Sequence, residues 1–174
     1  TEVNLHLPAL LPEDFVADVH MRLALYKRIA AAADTAELDA LQAELVDRFG
    51  PLPPAALNLL HGARLTQAAR RLGVRRLDVS AQSSYVLFEE RNQVDPAALI
   101  RLIQREPKLY RLEGPLKLRI ARGAPDDARA TFAEALLQRL TPPAAAPAAQ
   151  SPAAPSPKPA APPAPAPPSG KARR

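Results

Sequence analysis

The sequence predicts an α+β fold, in which a helical N-terminal half precedes a hairpin–helix–hairpin–helix arrangement with a small antiparallel sheet. Up to Gly73, apolar residues recur every three or four positions, which is the period of an amphipathic helix. After Gly73, short segments alternate apolar and polar residues, which is the period of a half-buried strand. We therefore expect about four strands in one sheet that is covered by helices.

The second helix has the clearest local signals. Asp34 stands three residues before Glu37, which is the spacing of an N-terminal capping box. Gly50 and Pro51 then form a stop signal, because glycine accepts the left-handed turn and proline cannot continue a helix. Between these signals, apolar residues at steps of three and four predict one buried face: Leu38, Leu41, Leu45 and Phe49.

The first and third helices are predicted from their apolar faces. The face of the first contains Val19, Leu23, Tyr26, Ile29, Ala30 and Ala33. The third follows Pro53-Pro54, a permitted helix opening, and its C-terminal cap is Gly73. Its apolar positions are Leu57, Leu60, Leu65, Ala68, Ala69 and Leu72.

Two hairpins and two helices are predicted after residue 73. The first hairpin pairs residues 74–80 with 85–90, and the second pairs 109–112 with 116–120. The fourth helix begins at Asp95-Pro96, an N-cap followed by proline at the first helical position. The fifth helix opens at Pro125-Asp126-Asp127, and its apolar positions are Phe132, Leu136 and Leu140.

Both ends of the chain stand apart from this pattern. Residues 2–7 alternate like a strand but have no neighbouring partner, so we expect them to pair with a segment outside the chain. Because the chain begins with Thr1, we expect it to be a piece of a longer protein. Residues 142–174 contain 12 Pro and 12 Ala and no Leu, Ile, Val or aromatic residue. Such a segment buries too little apolar surface to offset its ordering entropy, which predicts a disordered tail.

The positive charge of the chain belongs largely to this tail. The net charge is +5, but residues 1–141 carry 19 Lys and Arg against 18 Asp and Glu, a net charge of +1. The tail carries four cations and no acid. Two interpretations of the tail stay open: it keeps the protein soluble, or its basic end touches nucleic acid or membrane. The near-neutral remainder weakens the case for a nucleic-acid-binding domain.

The sequence carries no motif for catalysis or cofactor binding. It lacks the P-loop pattern, and the absence of cysteine excludes disulfides, thiolate nucleophiles and cysteine-based zinc sites. His6, His20 and His61 lack the i, i+4 spacing of a metal-binding pair. We expect no enzyme, cofactor or metal site in this chain. An enzyme is kept as an alternative that a pocket of groups with strongly shifted pKa would support. No apolar run of about 18 residues and no signal-peptide pattern occur, so we expect a cytoplasmic protein.

One group of charged residues lies together on the second helix. Glu44, Asp47 and Arg48 are spaced i, i+3 and i+4, so they project from one side of it. Glu44 and Arg48 form a favourable pair that could simply stabilise the helix by about 0.2–0.5 kcal/mol. Asp47, however, stands near the helix C-terminus, where the dipole disfavours an acid. Its position therefore favours a second interpretation, contact with a partner.

A second group of charged residues contains arginines alone. Arg70, Arg71, Arg75 and Arg76 straddle the predicted end of the third helix. Cations there interact favourably with the helix dipole, which is one explanation of the cluster. Contact with an anionic partner, either nucleic acid or an acidic protein surface, is the other. Nucleic-acid modules add stacking aromatic residues, and none is interleaved here.

Five stretches of the sequence form a specific pattern: TEVNLHLPALLPEDFVADVHMRLALYKRIA at residues 1–30, followed by AELVDRFGPLP, RRLGVRRLD, NQVDPAALI and YRLEGP. In this order they resemble the C-terminal domain of bacterial transcription-repair coupling factors. The resemblance covers the predicted folded part and excludes the tail. It implies the following division: residues 1–16 are a junction strand and linker from an upstream translocase domain, residues 17–141 are the regulatory domain, and residues 142–174 lie outside the family.

The resemblance also implies a function. Members of the family are ATP-dependent DNA translocases that remove stalled RNA polymerase and recruit nucleotide-excision repair. Their ATPase motifs lie upstream of this domain, which docks on the N-terminal module that binds UvrA and restrains the translocase. The AELVDRFG motif makes Glu44, Asp47 and Arg48 the expected docking residues. The alternative is a nucleic-acid-binding accessory domain that works through Arg70 to Arg76 and the basic tail.

Overall fold

A computed structural model of the protein describes residues 1–143, which form one compact unit. The order of elements is strand, three helices, hairpin, helix, hairpin and helix, as predicted apart from the role of the first strand. The helices are α1 (Val19–Ala31), α2 (Thr35–Phe49), α3 (Pro54–Leu72), α4 (Pro96–Arg105) and α5 (Arg129–Leu140), with a 3-10 turn at Asp126–Ala128. The predicted disordered tail lies outside the described residues, except for residues 142 and 143.

The sheet has five strands in the described part of the chain and is mixed. The strands are β1 (Glu2–Asn4), β2 (Val74–Val79), β3 (Ser84–Phe88), β4 (Tyr110–Leu112) and β5 (Lys117–Ile120). Their spatial order is β1-β2-β3-β5-β4. The four strands of the predicted hairpins are antiparallel to their neighbours, as expected, while β1 adds a fifth strand parallel to β2.

The pairing of β1 corrects the expectation that this strand has its partner outside the chain. Glu2 lies opposite Arg76 and Asn4 opposite Asp78. Sequence periodicity identified the strand but could not identify a partner that lies about 70 residues further along the chain. Residues 1–16 thus belong to the same compact unit as residues 17–141. Their assignment as a junction to an upstream domain stays a prediction.

The helical half follows its local signals at α2 and departs from them at α1. The Asp34 carboxylate accepts from Glu37 N–H, and Leu38, Leu41 and Leu45 are buried, as predicted. In α1 the predicted face is wrong in part. Val19 and Leu23 are each 53% exposed, whereas Leu25 and Ile29 are buried. The helix carries apolar residues on more than one side, and α2 and α3 cover the side of Leu25 and Ile29.

Two clusters of buried apolar residues meet at α3. Its N-terminal half gives Ala56 and Leu60 to the cluster beneath α1 and α2. Its C-terminal half gives Leu65, Ala69 and Leu72 to the larger cluster between the sheet and α5. Because α3 is part of both clusters, it holds the helical half and the sheet in one unit.

A buried arginine fastens the N-terminal segment to α5. The Arg129 side chain is 8% exposed, and its guanidinium donates to the backbone carbonyls of Leu5, His6 and Ala124 at 3.1, 2.9 and 2.9 Å. Its Nη2 also lies 2.6 Å from Asp126 Oδ1. These contacts satisfy a buried charge with several acceptors, as burial of an ion requires. Sequence periodicity gave no sign of this residue's role.

Candidate docking surface on α1 and α2

Glu44 is the centre of a three-residue ionic network on the helical half. Its two carboxylate oxygens accept from Arg28 Nη1 and Nη2 at 2.8 and 2.7 Å, a bidentate arrangement. Its Oε1 also accepts from Arg48 Nη1 at 3.0 Å. Hydrogen bonds from Arg28, the larger cause, and from Arg48 lower the pKa of Glu44 to about 2. The Glu44 carboxylate in turn raises the pKa of Arg28. The carboxylate of Glu44 is therefore ionised across the physiological pH range.

The network depends on how α1 and α2 are joined. Residues 32–34 join the two helices, and the Asp34 carboxylate caps the start of α2. Arg28 lies in the last turn of α1, and its guanidinium contacts Glu44, 16 residues later in α2. Arg28 was not predicted as a site residue, because no spacing in the sequence links it to Glu44 on the next helix.

Arg48 is held by contacts on several sides. Its guanidinium carbon lies 5.2 Å from the ring centroid of Phe49, and its Nη2 lies 3.7 Å from Met21 Sδ. The Phe49 ring in turn packs against Phe15 with 5.7 Å between centroids. The ionic contact with Glu44 and these apolar contacts fix the direction of a side chain that stays 43% exposed.

Asp47 differs from its two neighbours because nothing in the described chain compensates its charge. It is exposed, and no hydrogen bond or ion pair joins its carboxylate to any residue from 1 to 143. It lines a shallow surface cavity together with Val46, which is 44% exposed, and Arg64. Arg64 donates to Asp39 and Gln42 at 2.7 Å each. The surface thus combines one uncompensated carboxylate, one exposed aliphatic side chain and ordered guanidinium groups.

The arginines singled out at the end of α3 differ in their exposure and in their partners. Arg70 and Arg71 lie exposed in the last turn of α3, and Arg75 lies exposed where the β2–β3 register shifts. Arg76 is paired in register with Leu87, on the sheet face opposite the buried Leu77. There Arg76 is 3.6 Å from Glu2 and 3.8 Å from Asp78. Arg76 is thus close to two acids, whereas Arg70, Arg71 and Arg75 are exposed.

Neither a cluster of metal ligands nor a membrane-spanning helix occurs in residues 1–143. Within residues 1–143, no three His, Asp or Glu side chains are grouped so that they could hold a metal ion. Within the same residues, no helix has the length and apolar character needed to cross a membrane. His6 instead contacts Asp78, with 2.8 Å between Nε2 and Oδ1. Arg28, Glu44, Asp47 and Arg48 together form the candidate functional site, the α1–α2 docking surface.

Comparison with known proteins identifies the family of this chain. The model of the TRCF domain family matches residues 5–99, more than half of the chain, and so includes all four residues of the docking surface. The chain belongs to the TRCF domain family. Its fold is that of a solved family member, the C-terminal domain of transcription-repair coupling factor. The two structures align with a TM-score of 0.62 at 20% identity, over 80% of this chain and 92% of the other.

Relatives of this TRCF domain are far longer than the chain. The transcription-repair-coupling factor of Escherichia coli is 50% identical over 119 residues, which are 68% of this chain and 10% of the relative. That of Haemophilus influenzae is 46% identical over 126 residues, 72% of this chain and 11% of the relative. That of Mycobacterium tuberculosis is 35% identical over 105 residues, 60% of this chain and 8% of the relative. The chain thus spans about a tenth of the length of these relatives.

Proposed function

We propose that this chain is the C-terminal regulatory domain of a transcription-repair coupling factor. It docks through the α1–α2 docking surface on the N-terminal, UvrA-binding module of the same protein. Docking masks the UvrA-binding surface and restrains an ATP-dependent DNA translocase in transcription-coupled nucleotide-excision repair in the cytoplasm. The chain itself is not an enzyme and needs no cofactor. It meets UvrA, RNA polymerase and DNA only through its parent protein.

The observation that carries this proposal is the family match combined with the exposed, preformed charges of the docking surface. The family model covers the AELVDRFG motif, in which Glu44, Asp47 and Arg48 stand. Arg48 is already oriented by Glu44 and Phe49 before any partner binds. Preorganised side chains lose less conformational entropy on binding, so they give more affinity from the same contacts.

The geometry assigns different tasks to the four residues. Asp47 has a free carboxylate and would accept charge-assisted hydrogen bonds from a basic group of the partner. Arg28 and Arg48 keep unused N–H donors and would bind acidic groups, while Glu44 holds both guanidiniums in place. Arg28 therefore joins the three residues predicted from the sequence. Val46 adds exposed apolar area beside them.

A docking surface of this kind suits a regulatory domain that must release its partner. A few charged contacts at a modest interface can be replaced when the parent binds another ligand. Changing the closed-to-open ratio from 99:1 to 1:99 takes about 5.5 kcal/mol of differential binding. Engagement of polymerase, nucleotide or DNA would have to supply this free energy.

The test is a calorimetric titration of the chain with the isolated N-terminal module. We expect the triple variant Glu44→Ala, Asp47→Ala, Arg48→Ala to fold normally and to bind at least about tenfold more weakly, because it removes the charged contacts. Arg28→Ala alone should also weaken binding, because it removes one of the two guanidiniums that are expected to bind acidic groups of the partner.

The matched control removes the same number of acidic and basic side chains elsewhere. Glu89, Glu90 and Arg91 are exposed and follow β3, far along the chain from α2. The variant Glu89→Ala, Glu90→Ala, Arg91→Ala loses two acids and one arginine, as the test variant does. This control variant should bind the N-terminal module as tightly as the unmodified chain does. Equal loss of binding in both variants, or none in either, would contradict the assignment of the docking surface.

A further inference from the structure

Arginines from α4, from α5 and from the segment after β5 line a surface that the proposed docking function does not use. Arg101 and Arg105 on α4 and Arg139 on α5 line one surface cavity, together with Glu106. A second cavity is lined by Glu106, Arg139, Arg122 and Phe132 among others. The two cavities share Glu106 and Arg139 in their linings, and we call their combined lining the α4–α5 groove.

The groove concentrates positive charge in a nearly neutral domain. Four arginines and one glutamate give its walls a net charge of +3, whereas residues 1–141 as a whole carry +1. Arg101 and Arg105 are also one turn apart on the same helix, where like charges disfavour each other. An anion bound between the two guanidiniums would interact favourably with both and offset their mutual repulsion.

The arginines of the groove differ in how far they are already paired. Arg101 Nη2 lies 3.6 Å from Asp95 Oδ2, and Arg139 Nη1 lies 3.4 Å from the Tyr110 hydroxyl oxygen. The guanidiniums of Arg105 and Arg122, by contrast, have no hydrogen bond and no acid within ion-pair distance anywhere in residues 1–143. Their five N–H donors each are available to a ligand.

The walls of the groove favour one class of polyanion. Guanidinium forks match phosphate oxygens in a bidentate manner, and a row of them matches a chain of phosphates. Phe132, which is half-buried, gives the second cavity an aromatic wall beside Arg122. Sequence-tolerant binding of single strands combines such cations with aromatic rings on which bases stack. An acidic peptide would use the cations but not the ring.

We propose that the α4–α5 groove binds single-stranded nucleic acid. The phosphates lie against Arg101, Arg105, Arg122 and Arg139, and a base packs on Phe132. This site is separate from the α1–α2 docking surface, and it does not depend on the function proposed for that surface. It is also separate from Arg70, Arg71, Arg75 and Arg76.

The test measures binding of a fluorescent oligothymidylate of about 12 nucleotides to the full chain at several salt concentrations. Each phosphate contact with a single strand contributes about −0.7 to the slope of log K against log salt concentration. Four contacts therefore predict a slope of about −2.8. The variant Arg105→Gln, Arg122→Gln should lower the affinity by about tenfold and bring the slope to about −1.4.

Two further variants separate the groove from general charge. The variant Arg70→Gln, Arg71→Gln removes the same charge from exposed positions on α3 and should leave the slope unchanged. Because every variant keeps the basic tail, differences between variants do not arise from the tail. Arg105→Lys, Arg122→Lys keeps the charge and should keep the slope. The proposal is overturned if the chain does not bind the oligonucleotide or if the α3 variant loses as much affinity as the groove variant. Tighter binding of a glutamate-rich peptide or of duplex DNA would also overturn it.

Discussion

Replacing Arg129 should destabilise the fold more than replacing any exposed arginine. Its guanidinium donates to three backbone carbonyls and sits in a site that is 8% exposed. Each bond from a charged donor is worth about 1.5–3 kcal/mol, but bonds from one side chain do not add fully. Breaking a buried charged network costs about 3–5 kcal/mol. We therefore expect Arg129→Met, which keeps the apolar stem, to lower the free energy of unfolding by about 3–5 kcal/mol.

The assay is urea unfolding followed by far-ultraviolet circular dichroism, with Arg122→Met as the control. Arg122 is exposed, and the cost of its replacement should stay within about 0.5 kcal/mol. In Arg129→Met, amide hydrogens of residues 2–7 should also exchange faster, because the carbonyls of Leu5 and His6 lose their donor. A loss of less than about 1 kcal/mol, with unchanged exchange in residues 2–7, would refute the idea that Arg129 fastens the N-terminal segment.

Three other predictions concern stability. Leu45 is fully buried in α2, so Leu45→Ala should cost about 2–5 kcal/mol in urea unfolding, whereas the exposed neighbour Val46→Ala should cost less than about 0.5 kcal/mol. Hydrogen bonds from Arg28, the larger cause, and from Arg48 lower the pKa of Glu44 from 4.5 to about 2. The ionised carboxylate therefore stabilises the fold above pH 4.5, and this effect is lost as the pH falls towards 2. Glu44→Gln should therefore flatten the fall of the urea midpoint in that window, and an unchanged fall would contradict the network. A Cβ at Gly123 would collide with the backbone of Ser80 to Gln82, so Gly123→Ala should destabilise by about 1–3 kcal/mol, whereas Gly62→Ala, with open space inside α3, should stabilise by about 0.5–1 kcal/mol in thermal melts.

The parts of the fold that were predicted from the sequence are those with short-range causes. The capping signal at Asp34 and the turn at Gly50 both fix α2 through residues within four positions. The two hairpins likewise follow from alternation on both sides of a turn. In each case the residues that decide the structure are close together in the sequence, so a periodic pattern is enough to identify the element.

The parts that were missed depend on contacts between distant residues. The parallel pairing of β1 with β2 joins segments about 70 residues apart, and the bond from Arg129 to Leu5 joins residues 124 apart. At α1, apolar residues on more than one side made the periodicity ambiguous, so the buried Leu25 was missed and the exposed Val19 and Leu23 were wrongly placed on the buried face. Arg28 was missed because its contact with Glu44 joins two different helices across 16 residues.

Basal ATP hydrolysis by the whole parent protein, without polymerase, tests the proposed restraint most directly. If the α1–α2 docking surface holds the translocase closed, the triple variant at Glu44, Asp47 and Arg48 should raise this rate and expose UvrA binding. The control variant at Glu89, Glu90 and Arg91 should leave both unchanged. An unchanged basal rate in a stably folded triple variant would contradict the regulatory role of this surface.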